Sequence, residues 1–245
     1  MEDDTETGLP ASIEEAWGVR RRPRKGPKPG LDLDRIVGAA VKVAASEGIA
    51  AVSMSRVATE LGSSAMSLYR YVAAKDELLT LMIDAAFDTP VAPAPPGEGW
   101  RAGMTRWAWT YHDALRRHPW VLHVPISGPP VMPNQIAWME DGLRALGGTG
   151  LAEGEKLSVI LLVSGYVRNE ASLSADLAAA AEPIMPAWSR QLARLTDAER
   201  FPALHAALAS GVFDHDDDPD EEFTFGLERV LDGIEALVGR RGAAG

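Results

Sequence analysis

The chain contains no cysteine, which excludes disulfides and thiolate metal sites and is compatible with a reducing compartment. Long hydrophobic runs are missing too. The most apolar stretch, LSVILLVSGYV at 157–167, falls short of the ~18 residues of a membrane span and is followed by Arg168, Asn169 and Glu170. The first 15 residues carry six acids and no base, the opposite of a signal peptide's start. Motifs of catalysis are absent as well: there is no phosphate-cradling glycine loop, no HExxH and no GxSxG. A soluble, cytoplasmic protein with no membrane partner, cofactor or metal is expected. Positive charge is scarce overall: the formal net charge is −11 at pH 7, which taken alone argues against a polyanionic partner.

What the chain does have is helical periodicity. Apolar residues at 33, 36, 37, 40, 41 and 44 recur at the spacing of a helix with one buried stripe. Asp32 is placed to cap its start, Leu31 and Ile36 to form a hydrophobic staple, and Gly48 to end it. Ser53 opens a second helix with Met54, Val57, Ala58 and Leu61 inward and Gly62 at its end. After a short turn, Ser63 or Ser64 opens a third, with Leu68 and Val72 inward. Met66, Ser67, Arg70 and Tyr71 are then expected to point outward. Two short helices across a tight glycine turn form a helix-turn-helix. An acid-free outward face suits phosphate walls and base edges in a major groove. Lys75 opens the next helix, where the macrodipole disfavours a cation, while Asp76 and Glu77 sit where it favours anions. A lysine in that position implies an external anion.

The charge is also unevenly distributed. Residues 16–75 hold eleven bases against four acids, a local +7 that leaves −12 for 76–245. Six of those bases lie in RRRPRKGPKPG (20–30), where Pro23, Pro27 and Pro29 favour an extended arm. Arg22, Arg24, Lys25 and Lys28 are therefore candidate DNA contacts alongside the helix-turn-helix. Residues 1–30, an acidic tail and a basic arm with Trp17 the only aromatic, are expected to be disordered.

The strings VATELG (57–62), SLYRYV (67–72) and KDELL (75–79) resemble the DNA-binding domain of the TetR family of bacterial transcriptional repressors. With Ile36, Ala40 and Gly48 the likeness spans 31–83. By this resemblance Tyr69, Tyr71 and Lys75 meet backbone phosphates, and Ser55, Arg56, Ser64, Ala65, Met66 and Ser67 approach bases or phosphates. Arg70 is added from its outward position. The fourth helix is expected to bury Leu78, Leu79, Met82, Ile83 and Ala86. Prolines at 90, 93, 95 and 96 then mark a boundary between a 31–88 head and a 98–240 body.

The body reads as helices throughout. A segment at 152–180 is apolar around most of its circumference between Leu157 and Val167, and a central position is expected for it. Phe223, Leu227, Val230, Ile234 and Leu237 form the stripe of a last helix at 219–240, with Gly226 and Gly233 leaving room for close approach. RRHPW (116–120), GPP (128–130) and FTFGLE (223–228) are similar to the tetracycline-repressor branch of the same family. That resemblance implies a homodimer through the 152–180 and 219–240 helices, and a small-molecule cavity in each subunit. Trp100, Trp107, Trp109, Tyr111, Trp120 and Trp138 crowd into 39 residues with few polar groups among them, as in the wall of a drug-sized pocket. Met104, Trp107, Tyr111, His123, Trp138, Met139, Tyr166 and Asn169 are the candidate ligand contacts. The alternating aspartates at 214–220 lack the glycine and glutamate of a calcium loop, so an acidic linker is the simpler account.

An all-α fold is therefore expected, with an N-terminal three-helix helix-turn-helix DNA-binding domain and a larger helical ligand-binding and dimerisation domain. Its expected function is a ligand-responsive repressor released from a palindromic operator in double-stranded DNA by a small apolar or aromatic effector. Two alternatives stay open: a DNA-architectural protein, and an all-helical enzyme using His112, His118 and His123.

Overall fold

In the computed structural model, residues 8–19, 30–126, 128–178, 184–214 and 218–242 are described. Every regular element among them is helical. The head comprises α2 (Leu33–Glu47), α3 (Met54–Glu60), α4 (Ala65–Leu68) and α5 (Lys75–Ala86), preceded by a short α1 (Ala11–Ala16). Local capping accounts for most of its boundaries. Asp32 accepts from the Arg35 amide and Ser53 from the Arg56 amide, while Ser64 caps α4 through the Ser67 amide at 3.3 Å. Gly48 and Gly62 end their helices at φ +81° and +61°, a region costly for residues with a Cβ. Ile36, Ala40, Val57, Leu68, Val72, Leu78 and Met82 are inaccessible to solvent or nearly so, and together form the head's core.

The disorder expected across 1–30 is corrected for residues 8–19, where α1 docks. Ile13 is buried in the core, the Ser12 hydroxyl donates to the Glu77 carboxylate, and the Trp17 indole N–H donates to the Val131 carbonyl at 2.9 Å. These partners lie 65 and 114 residues away in the chain, so no local pattern could announce them. The acidic residues 1–7 and the arm at 20–29, with Arg22, Arg24, Lys25 and Lys28, lie outside the described residues.

The body comprises α6 (Trp100–Arg117), α7 (Pro133–Ala145), α8 (Glu153–Ala178), α9 (Ile184–Leu195), α10 (Pro202–Ala209) and α11 (Pro219–Gly242), with a 3-10 turn at Pro119–His123. The proline-rich 88–99 stretch is a loop, but not a slack one. Val91 is buried, and Arg106 of α6 ties the loop down through Glu98 and the Ala92 carbonyl. A single hydrophobic cluster continues from the head into the body. α8 packs against α6, α7 and α11, yet one side of it stays on the surface. Leu161 is 75% exposed, and Leu157, Leu162, Leu173 and Leu177 are exposed with it. The central position expected for this helix holds, and one apolar face of it remains open within a single chain. Its all-round apolarity exceeds what α6, α7 and α11 can cover. At Gly226 an added Cβ would run into the Tyr166 phenol, so the close approach anticipated there is present; around Gly233 the space is open.

Candidate nucleic-acid interface and ligand cavity

The outward face of the helix-turn-helix presents Met66 (76% exposed) and Tyr69 (49%), with Ser55, Ser64, Arg70 and Lys75 exposed and Ala65 and Ser67 half-buried beside them. Regular α4 is one turn long. Tyr69 to Tyr71 follow as a turn, closed by the Val72 amide on the Leu68 carbonyl at 3.0 Å. Lys75 is the first residue of α5, and no side chain caps the Ala74 position ahead of it. Glu77 instead accepts from the Ala73 amide at 2.7 Å, fixing the residue ahead of the N-cap position.

Two candidate contacts are engaged inside the head. The Arg56 guanidinium bridges Glu47 of α2 and Glu60 of α3, an arrangement that raises its pKa further. Glu60 is also paired with Lys42 at 2.6 Å. Arg56 thus ties α2 to α3, and its fork is already occupied by carboxylates. Tyr71 is half-buried, and its hydroxyl donates to the Leu31 carbonyl at 2.9 Å, holding the approach to α2. The outward orientation expected for Tyr71 is accordingly corrected. Between 30 and 75 the head has five bases against four acids, so most of its local positive charge comes from the arm.

A cavity of about 430 Å³ lies at the contact of head and body. Its wall takes Thr80, Ile83 and the C-cap Phe87 from α5, Tyr111 from α6, Val121 and Val124 from the 3-10 turn and its end, Gln135, Trp138 and Met139 from α7, and Leu157, Ile160, Leu161, Ser164 and Arg168 from α8, with a rim at 125–126 and 128–131. Phe87, Tyr111 and Trp138 form an aromatic corner with ring centroids 4.6–6.3 Å apart. The Trp138 ring is held from behind by Trp107, stacked at 3.8 Å, whose indole N–H donates to the Trp138 carbonyl.

Of the eight ligand contacts expected from sequence, Tyr111, Trp138 and Met139 line this cavity. Met104 and Trp107 are wholly buried one layer behind it, because their helical stripe faces core as well as cavity. Tyr166 packs on α11, donating to the Phe223 carbonyl at 2.8 Å, and its phenol is pushed up to about 12 by burial and by Glu170 and Glu222 nearby. His123 and Asn169 are exposed and do not reach the cavity. Arg168, Phe87 and Gln135 were missed. The charged residue that ends the apolar run of α8 was the available signal for Arg168.

The three histidines do not form one catalytic set. His112 is buried against Glu170 at 3.1 Å and stacked on Phe223 at 4.2 Å. His118 has its pKa lowered, first by burial and then by Arg117, and His123 is exposed.

One further polar contact joins the two functional regions. Asp84 of α5 is buried, and its Oδ1 accepts from the amides of Asn134 and Gln135 at 3.0 Å each, capping α7 where Met132 cannot. Burial raises its pKa, against the lowering effect of the two amides. The Asn134 amide group returns a bond to the Asp84 carbonyl at 3.1 Å.

Comparison with known proteins agrees with this arrangement. Residues 36–82 match the family described as bacterial regulatory proteins, tetR family, and residues 92–238 match the tetracyclin repressor-like C-terminal domain. The chain is 40% identical over 243 residues to the HTH-type transcriptional repressor DrrR1 of Streptomyces coeruleorubidus, covering 94% of this chain and 87% of the relative. An HTH-type transcriptional regulator of Saccharopolyspora erythraea is 32% identical over 163 residues, covering 66% and 67%. Among solved structures, ActR of Streptomyces coelicolor superposes in complex with (S)-DNPA (TM-score 0.73, 27% identity, 85% of this chain and 98% of that one). Its complex with actinorhodin does so too (0.73, 29%, 87% and 100%). With its helix-turn-helix and its tetracyclin repressor-like body, the chain belongs to the TetR family of bacterial transcriptional regulators and is not an enzyme.

Proposed function

We propose that this protein is a dimeric repressor that a small molecule, bound in the 430 Å³ cavity, releases from a palindromic operator. The observation that carries the proposal is the course of α5. It begins at Lys75, beside the exposed face of the helix-turn-helix, and further along it supplies Thr80, Ile83 and its C-cap Phe87 to the cavity wall. A ligand that presses on that wall changes the pose of the head, and DNA affinity falls by the ligand's differential preference for the two poses.

In this proposal Ser55, Ser64, Ala65, Met66, Ser67 and Arg70 approach the major groove. Tyr69 and Lys75 meet phosphate, and Arg22, Arg24, Lys25 and Lys28 follow the backbone. Arg56 and Tyr71 hold the head in shape. The exposed leucines of α8, and the open groove between α8 and α11 lined by Leu162, Val230, Gly233 and Leu237, favour a second copy there. A two-fold partner would set two heads about 34 Å apart on successive major grooves. ActR, with its bound (S)-DNPA and actinorhodin, supports the small-molecule part of the proposal.

Selection of duplexes from random DNA, followed by footprinting, tests it. A two-fold symmetric protected site that is vacated on adding a cavity ligand is expected. Binding indifferent to sequence would instead indicate an architectural protein and overturn the proposal.

A further inference from the structure

The chemistry of the cavity wall is lopsided. No acidic side chain lines it, yet Arg168 does. The guanidinium is pinned by Nη2, which donates to the carbonyls of Val121, Leu122 and Val124 at 3.2, 3.1 and 3.3 Å. The Tyr111 phenol lines the same cavity, and burial raises its pKa. The phenol therefore keeps its proton and remains a donor. Among the described residues the partners of Arg168 are these neutral oxygens; it forms no ion pair. Trp138, on the facing aromatic corner, adds a buried indole N–H that has no acceptor. A half-buried cation with partial dipoles but no counter-ion is incompletely compensated, and a planar fork matches a carboxylate better than any other small group.

Resting on the cavity being the effector site, we propose that the effector is an aromatic acid. Its ring system lies against Phe87, Tyr111 and Trp138, and its carboxylate pairs with Arg168 while accepting from the Tyr111 hydroxyl. The apolar remainder of the wall excludes water from that pair and strengthens it.

The test compares two probes of equal shape on the full-length protein, 2-anthracenecarboxylate and 2-anthracenecarboxamide, titrated at neutral pH by fluorescence. The wild type is expected to bind the acid at least about tenfold more tightly than the amide, as a charge-assisted bidentate contact implies. Arg168→Met should abolish that preference, and Arg168→Lys should restore part of it. The wild-type comparison needs no variant, so a folding defect in Arg168→Met cannot obscure it. Equal binding of acid and amide by the wild type overturns the assignment of an acid and leaves the cavity standing. Failure of the wild type to bind either probe counts against the cavity as an aromatic effector site, and the inference falls with it.

Discussion

Asp84 joins α5 of the head to α7 of the cavity wall, and replacing it tests both stability and the proposed transmission. In Asp84→Ala two α7 amides, each 3.0 Å from the carboxylate, lose their acceptor in a place where the residue is only 5% exposed. Losing an N-terminal cap costs about 0.5–2 kcal/mol, and a buried donor left unpaired costs about 1–3 kcal/mol. Relief of the buried charge offsets part of this. The net loss should be about 1–3 kcal/mol, or roughly 2–4 °C in Tm per kcal/mol for a chain of this size. Asp84→Asn keeps an acceptor and should lose less than about 1 kcal/mol.

The raised pKa of Asp84 adds a signature in pH. The folded protein holds this proton more tightly than the unfolded chain does, so stability from this group falls as pH rises from the unfolded value of about 3.9 through the folded one. Wild type should therefore gain on Asp84→Asn as pH is lowered from 7 towards 4, followed by denaturant melts at each pH. DNA-release titrations with a cavity ligand should show Asp84→Ala needing more ligand for the same release. If Asp84→Ala melts like wild type and releases DNA at the same ligand concentration, the claim that this cap links α5 to α7 is wrong.

Lys75→Ala should weaken binding to every duplex alike and reduce the slope of log K against log salt by about one, since one phosphate contact is removed; identical slopes in a fluorescence-anisotropy series would remove Lys75 from the interface. Gly142→Ala should destabilise by about 1–3 kcal/mol through overpacking, because the new Cβ would lie 2.8 Å from the buried Trp107 ring. Gly38→Ala, on the exposed side of α2 with nothing within 4 Å, is the thermal-melt comparison and should not share that loss. Leu161→Glu places a charge on the exposed face of α8 and should shift the protein to monomer in sedimentation runs; an unchanged dimer would move the interface elsewhere.

Much of the head was legible because its signals are local. Asp32, Ser53 and Ser64 cap amides three residues on, and Gly48 and Gly62 adopt backbone angles that a glycine accepts at no steric cost. The spacing that put Leu68 and Val72 inside likewise depends on neighbours within two turns. The bond of Tyr71 to Leu31, and the pairing of Arg56 with Glu47 and Glu60, were not legible in the same way, because those partners sit on other elements or turns.

The cavity was legible as a class and not as a list. An aromatic stripe at helical spacing fits a core wall and a pocket wall equally well, and Trp107 and Trp138 show both outcomes in one stacked pair. Which rings face empty space depends on how α5, α6, α7 and α8 meet. Helix type, caps, the acidic and basic segregation and the family motifs follow from residues near one another in the chain, where backbone geometry and short-range hydrogen bonding dominate. The position of Arg168 without a counter-ion, the Asp84 cap on α7 and the docking of α1 arise from side chains brought together across tens to more than a hundred residues. There it is packing of whole helices that selects the partners.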